Sequence, residues 1–448
     1  MSRTKARVIA LAALTPLLAV AACSSGSDGD SASSGGSQID YWLWDANQQP
    51  AYQKCADAFA TANPGSTVKI TQRGWDDYWS TLTTGFQSDT APDVFTDHLS
   101  KYPEFVANKV ILPLDDVVTD IDTTQYADGL ADLWVAQDGK RYGLPKDWDT
   151  IALFYNKKMV ADAGLTEDEM QNLTWNPADG GTYEDVIAKL TVDANGVHGD
   201  QPGFDKSNVA VYGLGLPGAG AGNGQTEWSY FTETTGWSHT DKNPWGTSYN
   251  YDDSRFQDSI AWWKSLIDKG LMPPLEQTVG ASMNDNFGAG KSAINANGSW
   301  MIGSYTSYDG VELGIAPTPV GPSGERASMF NGLADSIYAG TDNKELAGKW
   351  VAFLGSAECQ SIVAKEGVVF PAITSAVAEA TTAFQAKGVD VTAFTMQVDD
   401  GTTFLFPITD HAADINAIMQ PAMDGVLSGA NPVDSLTAAN DQVNALFK

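Results

Sequence analysis

The chain has 448 residues, with 26 basic and 56 acidic side chains and a formal net charge of −30. A surface this acidic repels nucleic acid and anionic lipid. It also disfavours a highly anionic ligand unless a local basic pocket overrides it.

Arg3, Lys5 and Arg7 lead into an apolar run, Val8 to Ala22, interrupted by Thr15 and Pro16. The run falls short of the roughly 20 apolar residues that span a membrane and has the form of a signal peptide, residues 1–22. It ends "VAAC", and small residues directly before Cys23 resemble a bacterial lipobox, in which cleavage precedes the cysteine and its thiol takes lipid. Losing the leader removes three cations and no acid, which leaves the remainder at −33. Ser24 to Ser37 has no apolar residue larger than alanine. With Cys23 it reads as a lipidated, flexible tether, 23–37, reaching roughly 20 Å on average.

About 410 residues follow, enough for two or more lobes. "IDYWLW" (Ile39 to Trp44) reads as a strand, "AYQKCADAFATAN" as an amphipathic helix ended by Pro64-Gly65, and "TVKIT" as a second strand. Helix-spaced "WDDYWSTLTTGFQ", the short buried strand "DVFTDH" and the helix "YPEFVANKV" continue the series. This βαβα order implies a parallel sheet covered by helices. Ligands bind such sheets at the carboxyl ends of the strands, which singles out Asp45 to Gln48 and Thr96 to His98. Residues 196–254 are rich in Gly, Asn, Asp and Trp, as in "GLPGAGAGNGQTEWSYF". Two readings stay open there, a loop in close approach to something and a long exposed loop. Helical patterns return in "SRFQDSIAWWKSLIDKG", "ELAGKWVAFLGS", "CQSIVAKEG" and "DSLTAANDQVNALF", and no internal repeat stands out.

Cys55 lies on the core-facing stripe of its helix, and Cys359 is the other cysteine left after Cys23. An exported chain permits their oxidation; pairing and two separate buried thiols both stay open.

The four histidines show no HExxH spacing, the cysteines no paired-ligand spacing, and no GxSxG occurs. "GAGKS" lacks the first glycine of a phosphate loop, since residue 285 is Asp285. No metal and no cofactor is expected. Glycoside hydrolysis is the serious rival and needs two carboxyl groups about 5 to 9.5 Å apart across the scissile bond. Asp147 and Asp149, two apart in an extended segment, point to one face, which lets both accept hydrogen bonds from one side of a ligand but does not place an acid and a nucleophile across a glycosidic bond; another pair among the 56 acids stays open. The chain carries 14 Trp, 15 Tyr and 17 Phe. Tryptophan among Asn, Asp, Gln and Gly suits carbohydrate, ring face on sugar face and polar groups on hydroxyls. Trp75, Trp228 and Trp300 are candidates of that kind, with Asn331 as a polar partner, while Trp262 and Trp263 read as core.

Three segments carry a resemblance. "YGLPKDWDTIALFYNKKMVADAGL", "FGAGKSAINANGSWMIGSY" and "ELAGKWVAFLGSAECQ…GVVFPAI" resemble, in order and spacing, the signatures of family 1 extracellular solute-binding proteins of the maltose-binding-like group. The resemblance covers nearly all of 38–448. It implies an α/β fold of two lobes joined by a multi-strand hinge, with 38–149 and 312–357 in lobe one and 150–311 and 358–448 in lobe two. Sugar would bind in the cleft between them. By the same resemblance Asp149 is a hinge carboxylate bonding sugar hydroxyls, and Trp300 is the stacking ring of a Gly-x-Trp. Asn47 and Gln48 fall in the ligand-facing loop after the first strand, where the maltose-binding protein has an acid and a lysine. Asp97, followed by His98, falls where it has a tryptophan. His411 lies near a late aromatic cluster. These departures count against maltose itself; a polyol or phosphorylated ligand stays compatible with the family. The expectation is therefore a monomeric, lipid-anchored component of an ABC importer on the outer face of the cell membrane. It would perform no chemistry and would pass an oligosaccharide to permease subunits. A secreted glycoside hydrolase and a surface adhesion lipoprotein are the alternatives.

Overall fold

Ile39, Tyr41 and Leu43 alternate inward along β1 (Ser37–Leu43), each almost fully buried. The computed structural model describes residues 37–119, 121–280 and 282–448. The signal peptide, Cys23 and the tether as far as residue 36 lie outside the described residues. β1 pairs in parallel with β2 (Ser66–Gln72) and with β3 (Val94–His98). Helices Gln49–Ala62 and Trp75–Ser88 make the connections, as the alternation predicts. The first of them has a proline in its first turn, where a missing N–H costs nothing. It buries Ala51, Tyr52, Cys55, Ala56 and Phe59 on one stripe.

β4 (Leu144–Asp149) completes the first run of strands, and after Thr150 alone the chain enters β5 (Ile151–Asn156) of a second sheet. That sheet continues with β6 (Val192–Asp193), β7 (Val209–Leu214), β8 (Ser292–Gly298) and β9 (Leu313–Ala316), in the order β6-β7-β8-β5-β9. The chain then returns through β10 (Ser328–Ile337), followed by β11 (Phe370–Pro371) and β12 (Thr403–Leu405). The first sheet thus reads β11-β4-β10-β3-β1-β2, with β12 paired to the start of β10. β10 runs antiparallel between β3 and β4, so the sheet is mixed rather than parallel throughout.

Two α/β lobes result, linked where β4 and β10 continue toward the second sheet. The Ser328 hydroxyl accepts from the Ile151 amide at 2.7 Å and donates to the Ile151 carbonyl at 3.0 Å, which ties the two crossovers together. Trp148 stacks between Phe330 and Phe370 at interplanar angles of 20° and 13°.

The lobe boundaries differ from the expected ones at two places. β9 was expected in lobe one with 312–357, yet it pairs with β5 in the second sheet. Residues from 358 were expected in lobe two, yet the helix Ala357–Glu366 shares a core with Ile39, Cys55 and Trp350, and β11 pairs with β4. The reason is covalent as well as apolar: Cys55 and Cys359 form a disulfide, with Cα atoms 5.3 Å apart, that clamps this helix to Gln49–Ala62. Residues 196–254 are not wholly loop, since they contain β7. Trp262 and Trp263 are core. Among the described residues no helix is long and apolar enough to cross a membrane, and no cluster of His, Cys, Asp and Glu could hold a metal ion.

Candidate ligand-binding site

The carboxyl ends of β1, β3 and β4 converge on a cavity of about 880 Å³. The first lobe contributes Trp44 to Gln48 after β1, Trp75 and Asp76 at a helix start, His98 at the end of β3, Asp149 at the end of β4, and Asn331 and Leu333 from β10. The second contributes most of Pro217–Glu227, Asn284, Asn297, and the turn holding Trp300, Met301 and Ser304. Asn416 and Gln420, on the helix Ala412–Leu427, close one side.

Trp300 is placed by Gly298. A Cβ on Gly298 would lie 1.9 Å from the indole, so the Gly-x-Trp spacing lets the ring fold back over its own strand end. Trp44 and Trp75 make a second aromatic surface, edge to face at 5.1 Å, and Trp75 is 45 % exposed. A large ring left this open at a cavity mouth is the kind of surface an apolar sugar face covers.

The polar groups are pre-positioned. Asp149 accepts from the Ser299 hydroxyl at 2.6 Å. Burial, helped by nearby Asp45, pushes its carboxyl up to about 7 against the bonds from Ser299 and the Trp300 amide. Asp45 accepts from the Asn47 amide at 2.7 Å and the Gln48 side chain at 3.1 Å, and burial raises it too. The Asn47 side chain donates to Ser304 Oγ at 3.1 Å, a bond between residues 257 apart that joins the two lobes across the cavity. His98 Nε2 accepts from the Asn331 side-chain nitrogen at 3.1 Å, so Nδ1 carries the hydrogen and donates to Ser100 Oγ at 2.9 Å. The other end of that buried amide has no protein partner. Burial lowers His98 to about 3, so the ring is neutral near neutral pH.

Of the candidates from sequence, Asn47, Gln48, Trp75, His98, Asp149, Trp300 and Asn331 come together at this cavity. Four others do not line it. Asp147 is fully buried with neither side-chain oxygen bonded, and burial and Asp149 raise it far above the usual carboxylate range. It shares β4 with Asp149 as expected, but it lies two residues back from the strand end, and only Asp149 at that end lines the cavity. Asp97 accepts from Ser336 and from the His98 amide beneath the cavity, where burial pushes it up to about 8. Trp228 is wholly buried, with its indole N–H bonded to the Ala219 carbonyl at 3.2 Å. His411 is near Asp414 and Phe447, away from the lining. A floor of buried polar groups supports the first lobe's half: Lys146 donates to Tyr41 and Thr96 at 3.0 and 2.9 Å, 3.7 Å from Asp335.

Sequence reasoning did not settle the glycine-rich segment. It passes close both to the cavity and to Trp228: a Cβ on Gly224, at φ +53°, would lie 2.0 Å from the indole. Asn416 and Gln420 were not foreseen, and no local signal marks them.

The comparisons with known proteins fit this geometry. The family model of the bacterial extracellular solute-binding proteins matches residues 54–389. The chain belongs to that family. A putative binding protein of Brucella abortus is 24 % identical over 417 residues, covering 90 % of this chain and 92 % of that one. A maltooligosaccharide ABC transporter solute-binding lipoprotein of Streptococcus pneumoniae is 25 % identical over 456 residues, covering 98 % and 96 %. Among solved structures, UspC of M. tuberculosis aligns with a TM-score of 0.68 at 25 % identity, covering 91 % of this chain and 99 % of that one. A substrate-binding protein of Listeria monocytogenes in complex with cycloalternan aligns at 0.77 and 19 %, covering 92 % and 98 %. The two-lobed, maltose-binding-like fold expected from sequence is the fold observed.

Proposed function

We propose that the protein is the substrate-binding component of an ABC importer for an uncharged oligosaccharide, tethered through Cys23 to the outer face of the cell membrane. The lining of the cavity is the observation that carries this reading. It combines Trp44, Trp75 and Trp300 with side-chain amides and with Asp45, Asp76, Asp149 and Glu227, and it includes no lysine or arginine. Ring faces suit sugar C–H faces, and carboxylates and amides suit hydroxyls. With no cation to meet it, a phosphorylated or uronate sugar would bring charge into an acidic, partly buried site at a desolvation cost. The volume lies in the upper part of the roughly 300–1,000 Å³ range of small-molecule sites, consistent with more than one sugar ring. Relatives named for a sugar, such as the pneumococcal maltooligosaccharide-binding lipoprotein, support the same class. Closure of the lobes on the sugar, secured by contacts of the Asn47–Ser304 kind, would give the permease subunits a loaded form to recognise.

Calorimetry tests the reading. Neutral oligosaccharides, among them maltotriose and diacetylchitobiose, are titrated beside phosphorylated or uronate sugars, and the bound sugar is recovered after prolonged incubation. Binding of a neutral oligosaccharide that returns intact is expected. Tighter binding of the anionic sugars, or turnover of a bound one, would overturn the proposal.

A further inference from the structure

The glycine-rich segment is held in place from behind. Three side chains outside the cavity lining each donate to one of its carbonyls: Trp228 Nε1 to Ala219 at 3.2 Å, the Tyr251 hydroxyl to Gly222, and His239 Nε2 to Asn223 at 3.0 Å. Ala219 and Asn223 themselves line the cavity. A chain with so many glycines has much conformational freedom to lose, and those donors add to the segment's own turn bonds, such as Gly224 N–H to the Gly220 carbonyl at 2.7 Å, in fixing the wall.

His239 differs from the other two because its donor carries a titratable proton. The ring is 4 % exposed. Nδ1 faces Glu233 Oε1 at 2.8 Å while Nε2 faces the Asn223 carbonyl. Both partners are acceptors, and a neutral imidazole has one N–H. Both bonds form together when the ring is imidazolium and Glu233 is carboxylate. The ring faces are covered by Trp237 at 4.6 Å, by Trp228 at 5.4 Å and by Phe404 of β12 at 6.1 Å. The charged groups on the neighbouring elements are otherwise engaged. Arg255, from the helix Ser254–Lys269, binds Asp253 and the Gly236 carbonyl. Asp241 accepts from the turn amides of Thr247 and Ser248, and Glu227 turns toward the Thr226 amide at the cavity.

We propose that His239 is a positioning residue for the binding cavity: as an imidazolium paired with Glu233 it clamps the Asn223 carbonyl, and losing its proton frees the glycine-rich wall. The functional meaning rests on the reading of this cavity as the ligand site; the clamp itself does not. Because the Nδ1 bond to Glu233 retains the last hydrogen, deprotonation strips the hydrogen from Nε2 and leaves that nitrogen facing the carbonyl lone pairs. A looser wall would then meet ligand less often in the ready shape, which lowers apparent affinity.

The test uses ligand-free protein, so its failure is distinct from failure of the oligosaccharide reading. Nitrogen-15 NMR of the His239 ring should show hydrogen on both nitrogens at acidic pH and loss of the Nε2 hydrogen on titration upward. Amide hydrogen exchange at Gly218 to Gly224, corrected for the base-catalysed intrinsic rate, should quicken about tenfold through that same titration, the fold-change of one lost bond of about 1.4 kcal/mol. His239→Gln keeps an amide donor for Asn223 without a titrating group, and its corrected exchange should stay flat with pH. A ring with one bare nitrogen at acidic pH would overturn the proposal. So would wild-type exchange that is flat across the titration, or that follows the same pH profile as His239→Gln.

Discussion

Gly298→Ala is the sharpest perturbation of the cavity, because it removes no ligand-contacting atom. Gly298 has φ −85° and ψ 164°, a conformation open to alanine, so the backbone is not strained. The added methyl meets the indole first: its carbon would lie 1.9 Å from Trp300 Cζ3 and 2.2 Å from two further ring atoms. The ring must swing off the strand end and leave the position in which it faces the cavity. A buried aromatic anchor at a binding site is worth roughly 2 kcal/mol or more, some thirtyfold in affinity. Gly298→Ala should therefore approach the loss seen in Trp300→Ala, while its circular dichroism stays that of the wild type. Calorimetry with the tightest-binding neutral oligosaccharide reads both variants. Wild-type affinity in Gly298→Ala together with a large loss in Trp300→Ala would refute the claim that the folded-back ring is the binding conformation. Unchanged affinity in both would remove Trp300 from the site.

Asp149→Asn should cost about 1.5 to 3 kcal/mol for sugars that donate a hydroxyl to this carboxylate. With the group pushed up to about 7, the deficit should shrink on the acid side of that value, where the wild type is also neutral; an equal deficit at acid and alkaline pH would deny the charge a role. Removing the disulfide by Cys55→Ala with Cys359→Ala opens a loop of 304 residues, which the chain-entropy relation values at about 5 to 6 kcal/mol, an upper figure. A lower Tm, with ligand affinity at permissive temperature unchanged, is expected; no change in Tm would contradict it. Asp97 holds a proton in the fold up to about pH 8 that the unfolded chain releases near its ordinary value. Its contribution to stability is complete below that ordinary value and is lost as pH rises through about 8. The Tm of ligand-free protein should fall over that interval and fall less steeply in Asp97→Asn; matching slopes would refute this. Cys23→Ser should move the protein out of the membrane fraction, and retention after a high-salt wash would end the lipid proposal.

The parts of this molecule legible in its sequence are those set by neighbours a few residues away. The alternation of Ile39, Tyr41 and Leu43, the stripe through Cys55 and Phe59, and the position of Asn47 and Gln48 just past a strand end all follow from local periodicity and one topological rule. What was not legible depends on partners far along the chain. Asp147 and Asp149 are both buried on one strand, yet only Asp149 lines the cavity, and nothing in the local sequence separates them. Trp228 has the composition of a sugar-stacking site around it, yet its face is taken by Gly224 and its N–H by Ala219. β9 is four residues long and finds its partner, β5, 157 to 163 residues back along the sequence, so nothing local assigns it to a sheet. Asn416 and Gln420 lie on a helix that contains Pro421, a residue that disguises the helix as well as its exposed face. The Cys55–Cys359 bond was open for the same reason, since spacing says nothing of distance across 304 residues.

The central claim is that an oligosaccharide lies between Trp300 and the strand ends of the first lobe. A crystal structure of the protein grown with the neutral oligosaccharide that binds most tightly tests it most directly. The account predicts a sugar ring stacked on Trp300, with hydroxyls within about 3 Å of Asp149 and of the unpartnered end of the Asn331 amide. A sugar bound elsewhere on the protein, with this cavity holding only water, would contradict it.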